Sequence, residues 1–253
     1  MTFSLPSLYL FPLLALVSLC FPSRAEAITE TPFSPNSLEV RKRIAPELEG
    51  IMAEKGLSLG APLFIRIFKE SDELEIWVMK GNTFRLFKTY TICDYSGSLG
   101  PKEREGDKQS PEGFYHVGIS QLNPWSKFHL AFDLGYPNDF DRACGRTGKS
   151  LMVHGRCSSV GCFAMTDYRM EEIYTLADAA LAHGQESFAV HIFPFRMTEE
   201  NMKRQTKSEW VAFWRNLKEG YDLFEQTSTP PQVTVNNNRY IFNPATIQLA
   251  RHP

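Results

Sequence analysis

The chain has 253 residues, with 27 Lys and Arg against 29 Asp and Glu and a formal net charge of −2. A balance this close to neutral carries no polyanion-binding signature, so nucleic acid is not an expected partner. The length suits one domain with a core of useful size and some decoration.

Residues 8–21 (LYLFPLLALVSLCF) form an apolar block interrupted by Pro12 and followed by PSRAEA. This reads as a secretory signal over residues 1–27, cut after Ala27. The block is shorter than the ~20 residues a membrane-spanning helix needs, and Leu19 before Cys20 fits a lipoprotein signal poorly. Export with no stable membrane span after cleavage is the expectation. Four cysteines then remain: Cys93, Cys144, Cys157 and Cys162. Thiols in an oxidising compartment tend to be buried, bridged or catalytic.

Residues 28–60 read as a Pro-rich lead and a short helix starting at Pro46, with Leu48, Ile51, Met52 and Lys55 on one side and Gly56 as its stop. From Pro62 the pattern turns to strands: LFIRIFK, LEIWVMK and TFRLFKTYTIC. Gly81-Asn82 joins the last two as a hairpin. Cys93, at its end, reads as a core or strand-end thiol. Asp94 to Gly113 is a long polar loop, and Gly113–Val117 is another strand. His116, His129 with Asp133, and His191 lie in strand-like runs and read as structural residues. GRTGKS (Gly145–Ser150) imitates a phosphate-binding loop, but the first glycine of that motif would fall at Ala143, and a strand-like LMV follows where a helix is needed.

Beyond residue 165, Thr166 reads as a helix N-cap, with Met170, Ile173, Tyr174, Ala177, Ala180 and Leu181 as an apolar stripe and Gly184 as the end. Ser187–Phe195 is a strand. A long amphipathic helix over 199–225 follows, carrying Trp210, Phe213, Trp214, Leu217, Tyr221 and Phe224, and Pro230 and Pro231 open a polar tail.

The chemistry concentrates in Leu151–Met165, LMVHGRCSSVGCFAM. An apolar run ends in His154, a Gly-bearing loop follows, and Gly161-Cys162 leads into a second apolar run. Cysteine attacks as the thiolate, and a neighbouring histidine can take its proton and later return it to the leaving group. If the two runs are adjacent strands, His154 and Cys162 can meet across the sheet. Gly161 lets the backbone approach a substrate carbonyl, where main-chain N–H groups can hold an oxyanion, with Ser159 as an extra donor. Arg146 either meets a substrate carboxylate through two parallel hydrogen bonds or pairs with Asp139 or Asp141. Arg156 and Gly155 fall on the substrate side of the loop, Arg156 as a carboxylate reader or a rim residue. Cys144, His154, Cys157 and Cys162 lack the Cys-x2-Cys pairs of a zinc site, so neither metal nor cofactor is expected. Cys157 either bridges to Cys144 or stays a loop thiol.

The HG-x5-GC arrangement and the small apolar run behind it resemble the active-site motif of the YkuD-type L,D-transpeptidases. The short His-to-Cys spacing is most similar to the YafK-like branch. GPKEREGDKQSPEGFYHVG (Gly100–Gly118) and GYPNDFDRACGRTGKS (Gly135–Ser150) match in order, so the resemblance spans about Pro62 to Phe195. The common family motif has a second histidine two positions before the cysteine, where this chain has Val160.

The resemblance implies an α+β fold: a YkuD-like β-sandwich catalytic domain over 61–195 with flanking helices, then a C-terminal helical extension and tail over 196–253. It implies peptidoglycan stem peptides as the substrate in the periplasm. Cys162 would attack the carbonyl at the L-centre of diaminopimelate, with His154 as base and then acid. The acyl group would pass to an amine, as in a transpeptidase. Alternatively it would pass to water, as in an amidase that releases a peptidoglycan-tethered protein such as a lipoprotein. A non-catalytic peptidoglycan-binding module is the reading from another class.

Overall fold

A computed structural model describes residues 1–2 and 30–245; the expected secretory signal lies almost wholly outside the described residues. Ser34 caps the first helix, α1 (Pro35–Glu54), through a reciprocal pair of bonds with Ser37. Helix formation therefore begins eleven residues before Pro46, which the helix carries in its interior. The expected start at Pro46 is corrected by a capping box that satisfies two of the first free N–H groups, with Pro35 at the first turn.

The strands follow as β1 (Leu63–Phe68), β2 (Glu73–Lys80), β3 (Thr83–Thr91), β4 (Asp94–Tyr95), β5 (Gly113–Gly118), β6 (Leu122–Asn123) and β7 (Ala131–Asp133). A short helix α2 (Asp139–Ala143) precedes β8 (Met152–His154) and β9 (Phe163–Ala164). The chain continues with α3 (Asp167–Ala182), β10 (Ser187–Phe193), α4 (Glu199–Arg204), α5 (Val211–Thr227), β11 (Gln232–Asn236) and β12 (Arg239–Asn243).

Two five-stranded sheets result, in the orders β3-β2-β1-β10-β5 and β4-β9-β8-β7-β6, with β11-β12 as a separate hairpin. Side-chain alternation assigns the layers. Ile65, Ile67, Val190 and Ile192 of the first sheet share one core with Phe132, Val153 and Phe163 of the second, with α1 and α3 contributing Ile44, Leu48, Ile173 and Ala177. The reverse face of the first sheet presents Phe68, Phe114 and Phe193 to Trp214, Leu217 and Tyr221 of α5. Burial on both faces explains why LFIRIF lacks polar alternation. Its one charge, Arg66, stacks on Tyr221 and Phe224 at 4.6 and 4.9 Å and pairs with Glu225 at 2.7 Å. His191 is buried between Phe64 and Phe114 at 4.7 and 4.6 Å, and burial pulls its pKa well below the ordinary histidine value.

Three further expectations are corrected. The C-terminal helix is two helices, α4 and α5, with a turn over 205–210. The tail is the β11–β12 hairpin: Asn237 and Asn238 both take positive φ, the geometry of a two-residue hairpin turn. It stays attached because Tyr240 is buried against Phe140 at 4.2 Å. Thr166 holds the N-cap position of α3, but with φ of 69° its side chain makes no capping bond.

Candidate active site

Strands β8 and β9 run side by side in parallel, with Val153 opposite Phe163 and His154 opposite Ala164. Val153 and Phe163 point into the core, so Met152, His154 and Cys162 share the other face of the sheet. Cys162 stands level with Met152, whose N–H donates to its Sγ at 3.4 Å, and the thiol lies 3.7 Å from the carbonyl of Ser150. His154 is one strand over and two residues further along. His154 Nδ1 contacts the Gly155 carbonyl at 2.6 Å. A carbonyl only accepts, so Nδ1 carries the proton and Nε2 offers its lone pair.

Both groups are neutral at rest. Burial pushes the Cys162 thiol up, against the Met152 N–H, and the negative charge of Asp133 adds to the rise. Burial pulls His154 down, against the Gly155 carbonyl and the charge of Asp94. A thiolate therefore forms when its proton moves to an acceptor, and the imidazole is the acceptor on the same face.

The loop between the two residues is pinned along its length. Arg156 N–H donates to Asp167 Oδ1, Ser159 N–H to Asp94 Oδ2 and Gly161 N–H to Ser96 Oγ, each at 2.7 Å. The Ser159 hydroxyl donates to the Cys162 carbonyl at 2.7 Å, and Ser110 Oγ reaches the same oxygen at 3.3 Å. A Cys93–Cys157 disulfide ties the loop to the lead into β4, with Cα atoms 5.3 Å apart. This corrects the reading of Cys93 as a strand-end thiol and of Cys157 as a loop thiol or a partner of Cys144. The physical reason is the sheet order: β4 neighbours β9, so the loop leaving β8 passes over Cys93. Cys144 is a free, exposed thiol.

The remaining candidates fall out as follows. Arg146 is spent on Asp141 at 2.8 Å, with both side chains buried, and its guanidinium lies between Phe140 and Phe213 at 5.1 and 4.9 Å. Of its two expected uses, pairing with Asp141 is the one found, in place of a substrate carboxylate: the turn after α2 brings the pair together inside the fold. Arg156 is exposed and takes φ of 59°. The Gly155 carbonyl accepts from His154, and a Cβ at this position would sit 2.7 Å from both the Phe128 carbonyl and Asp167 Oδ1. Gly161 N–H is taken up by Ser96, and the two Ser159 donors by Asp94 and the Cys162 carbonyl, so in this structure neither residue points a donor at a substrate oxygen. His129 is structural, with Nε2 2.9 Å from Glu171.

Sequence reasoning missed the residues that brace the segment leading into Cys162. Lys69 and Glu112, both fully buried, pair at 3.0 Å; Glu112 also accepts from Gly100 N–H at 2.7 Å and from the Trp214 indole at 2.8 Å. Lys69 in turn donates to the carbonyls of Gly100 and Ser110. The polar loop between β4 and β5 is thereby fixed from α5 to the Cys162 carbonyl. Only its length and polarity marked it out.

A thiol and a buried imidazole sharing one sheet face, with a braced loop between them, are the parts of a Cys/His nucleophilic site on a β-sandwich. The chain matches the model of YkuD, the L,D-transpeptidase catalytic domain, over residues 71–192. It is 51% identical over 183 residues to "Putative L,D-transpeptidase YafK" of Escherichia coli strain K12, spanning 72% of this chain and 74% of that one. The same figures hold for the protein of that name from Escherichia coli O157:H7. The chain belongs to the YkuD L,D-transpeptidase family. Among solved structures it is similar to the helical cell shape determining protein Pgp2 of Campylobacter jejuni, with a TM-score of 0.43, 17% identity and coverage of 74% of this chain and 79% of that one. Bd1075 of Bdellovibrio bacteriovorus is matched at a TM-score of 0.38 and 23% identity, over 67% of this chain and 61% of that one.

Proposed function

We propose that the protein is a cysteine acyl-transfer enzyme of the cell envelope, acting on the stem peptides of peptidoglycan. The observation that carries the reading is the parallel β8–β9 register, which sets Cys162 and His154 on one face with the imidazole lone pair free. His154 Nε2 takes the thiol proton as Sγ attacks the carbonyl at the L-centre of diaminopimelate. The Cys162 N–H is the donor for the resulting oxyanion. Collapse of the intermediate breaks the bond to the leaving amine, which receives the proton from His154, and leaves a thioester on Cys162. An amine acceptor then forms a new amide and regenerates the thiol. Arg156, exposed at the rim, is the cation for a substrate carboxylate.

A second reading has water take the acyl group, freeing proteins tethered to diaminopimelate. Val160 favours it: this side chain, 68% exposed, stands where the common family motif has a histidine, and offers nothing to orient an incoming amine. The chemistry belongs in the periplasm. Among the described residues no helix is long and apolar enough to cross a membrane.

The test is mass spectrometry of muropeptides from sacculi, some carrying a tethered lipoprotein, treated with the protein or its Cys162→Ala variant. New 3→3 dimers that depend on Cys162 mark the transpeptidase. Free tripeptide replacing protein-bearing tripeptide, without dimers, marks the hydrolase. Identical products from both proteins would overturn the acyl-transfer reading and bring forward a wall-binding module.

A further inference from the structure

The loop between β6 and β7 is held at both ends. The Pro124 carbonyl accepts from Ser34 Oγ at 2.8 Å, and Phe128 N–H donates to Ser126 Oγ at 3.0 Å. His129 meets Glu171 Oε1 at 2.9 Å, while Arg43 takes the other oxygen of that carboxylate at 2.7 Å. So anchored, the loop keeps Phe128 at the surface, 43% exposed. Core packing does not account for a phenylalanine held there.

Its ring packs at a tilt against the His154 imidazole, with centroids 4.6 Å apart and planes 38° apart. The Arg156 guanidinium carbon is 6.0 Å from the same ring. The approach depends on Gly155, where a Cβ would collide with the Phe128 carbonyl. Phe128 thus stands between His154 and solvent. His154 is only 3% exposed, although it lies on the face of its sheet turned away from the main core.

We propose that Phe128 is a positioning residue: its ring roofs His154, keeps bulk water off the imidazole and fixes the plane in which it exchanges a proton with Cys162. The role rests on the acyl-transfer function proposed above. A base under such a roof passes its proton only to groups that reach Nε2, whereas an uncovered one is hydrated and free to tilt. The charged and titratable groups around it are Cys162 leading into β9, Asp94 of β4, Asp133 of β7, Arg156 over the ring and Asp167 at the start of α3, with His129 and Glu171 behind the loop. Taking the ring away readmits water and relieves the burial that holds the imidazole neutral, so the titration of His154 moves up.

The experiment follows the His154 ring proton by NMR across pH in the Cys162→Ala background, with Phe128, Phe128→Ala, Phe128→Leu and Phe128→Tyr, and thermal unfolding recorded on each sample. Phe128→Ala is expected to raise the midpoint by on the order of one unit, while Phe128→Tyr stays with the parent. Phe128→Leu keeps an apolar cover and moves less than Phe128→Ala, which maintains the test if the alanine variant unfolds. With Cys162 present, Phe128→Ala should lower kcat by about tenfold at constant KM, and Phe128→Tyr should restore it. An unmoved midpoint in the folded alanine or leucine variant overturns the proposal. So does a loss confined to KM, which would make Phe128 a substrate contact. If the parent enzyme shows no turnover that depends on Cys162, the acyl-transfer function itself falls, and the midpoint still reports separately on the roof.

Discussion

Replacing Glu112 with alanine should be the most damaging single change outside Cys162 and His154. Its Oε1 accepts from Lys69 and from the Gly100 N–H, and its Oε2 from the Trp214 indole, all without solvent. Without the carboxylate, the buried Lys69 ammonium keeps only the carbonyls of Gly100 and Ser110 at 2.8 and 3.2 Å. Breaking a buried ion pair from one side costs ~3–5 kcal/mol. Each of the two orphaned N–H donors adds ~1–3 kcal/mol, less than additively. A loss of ~5 kcal/mol is expected, against a typical total of ~5–15. Glu112→Gln keeps an acceptor and the shape, so it should lose about half as much. Urea unfolding at pH 7 followed by tryptophan fluorescence measures both, with Trp214 as a local reporter. The double variant Lys69→Met/Glu112→Leu removes both charges and should recover much of the loss. A cost below ~1 kcal/mol for Glu112→Ala would refute the reasoning, because the pair would then not be holding the loop against desolvation.

The remaining predictions concern the site and its braces. With His154 as the proposed base, the acid limb of kcat/KM should lie below 6.5, so activity should persist as pH falls through 6.5; a limb centred at or above 6.5 would contradict the burial described. With Cys162 as the proposed nucleophile, the alkaline limb should lie above 9.0, with iodoacetamide labelling near neutral pH slower than for an exposed cysteine. Cys93→Ser with Cys157→Ser opens a link across 64 positions. Chain entropy values such a link at about 4 kcal/mol, so the double variant should unfold at lower urea and lose turnover; unchanged stability would show that the bridge does not constrain the chain. Arg146→Met strands the buried Asp141 and should cost ~3–5 kcal/mol while leaving KM unchanged. A raised KM with intact stability would return Arg146 to the substrate.

Local patterns that ended in the expected element were those enforced by backbone geometry. Gly81-Asn82 between alternating runs produced the β2–β3 hairpin, with Gly81 at φ of 61°. LMVH and GCFA became neighbouring strands carrying the catalytic candidates on one face. Pro46 misled because a proline marks a helix start only when no earlier residue caps the chain, and Ser34 does. Pro230-Pro231 resembled the opening of a tail because the strands behind them are only five residues long each. What keeps that hairpin in place is Tyr240 against Phe140, a contact spanning a hundred residues. The braces of the nucleophile were illegible for the same reason. Ser96 and Ser110 lie 65 and 52 positions from the atoms they hold, and nothing in the composition of a polar loop announces which hydroxyl will turn inward.

The disulfide also links the order of the site to where the chain matures. Cys93 and Cys157 become a bridge only where thiols are oxidised. Until then the loop ahead of Cys162 relies on three backbone N–H bonds to Asp167, Asp94 and Ser96. A chain kept under reducing conditions therefore carries Cys162 on a segment that is closed by polar contacts but not locked. Oxidation completes the locking, so preparations recovered from reducing and oxidising hosts are two different states of the same polypeptide.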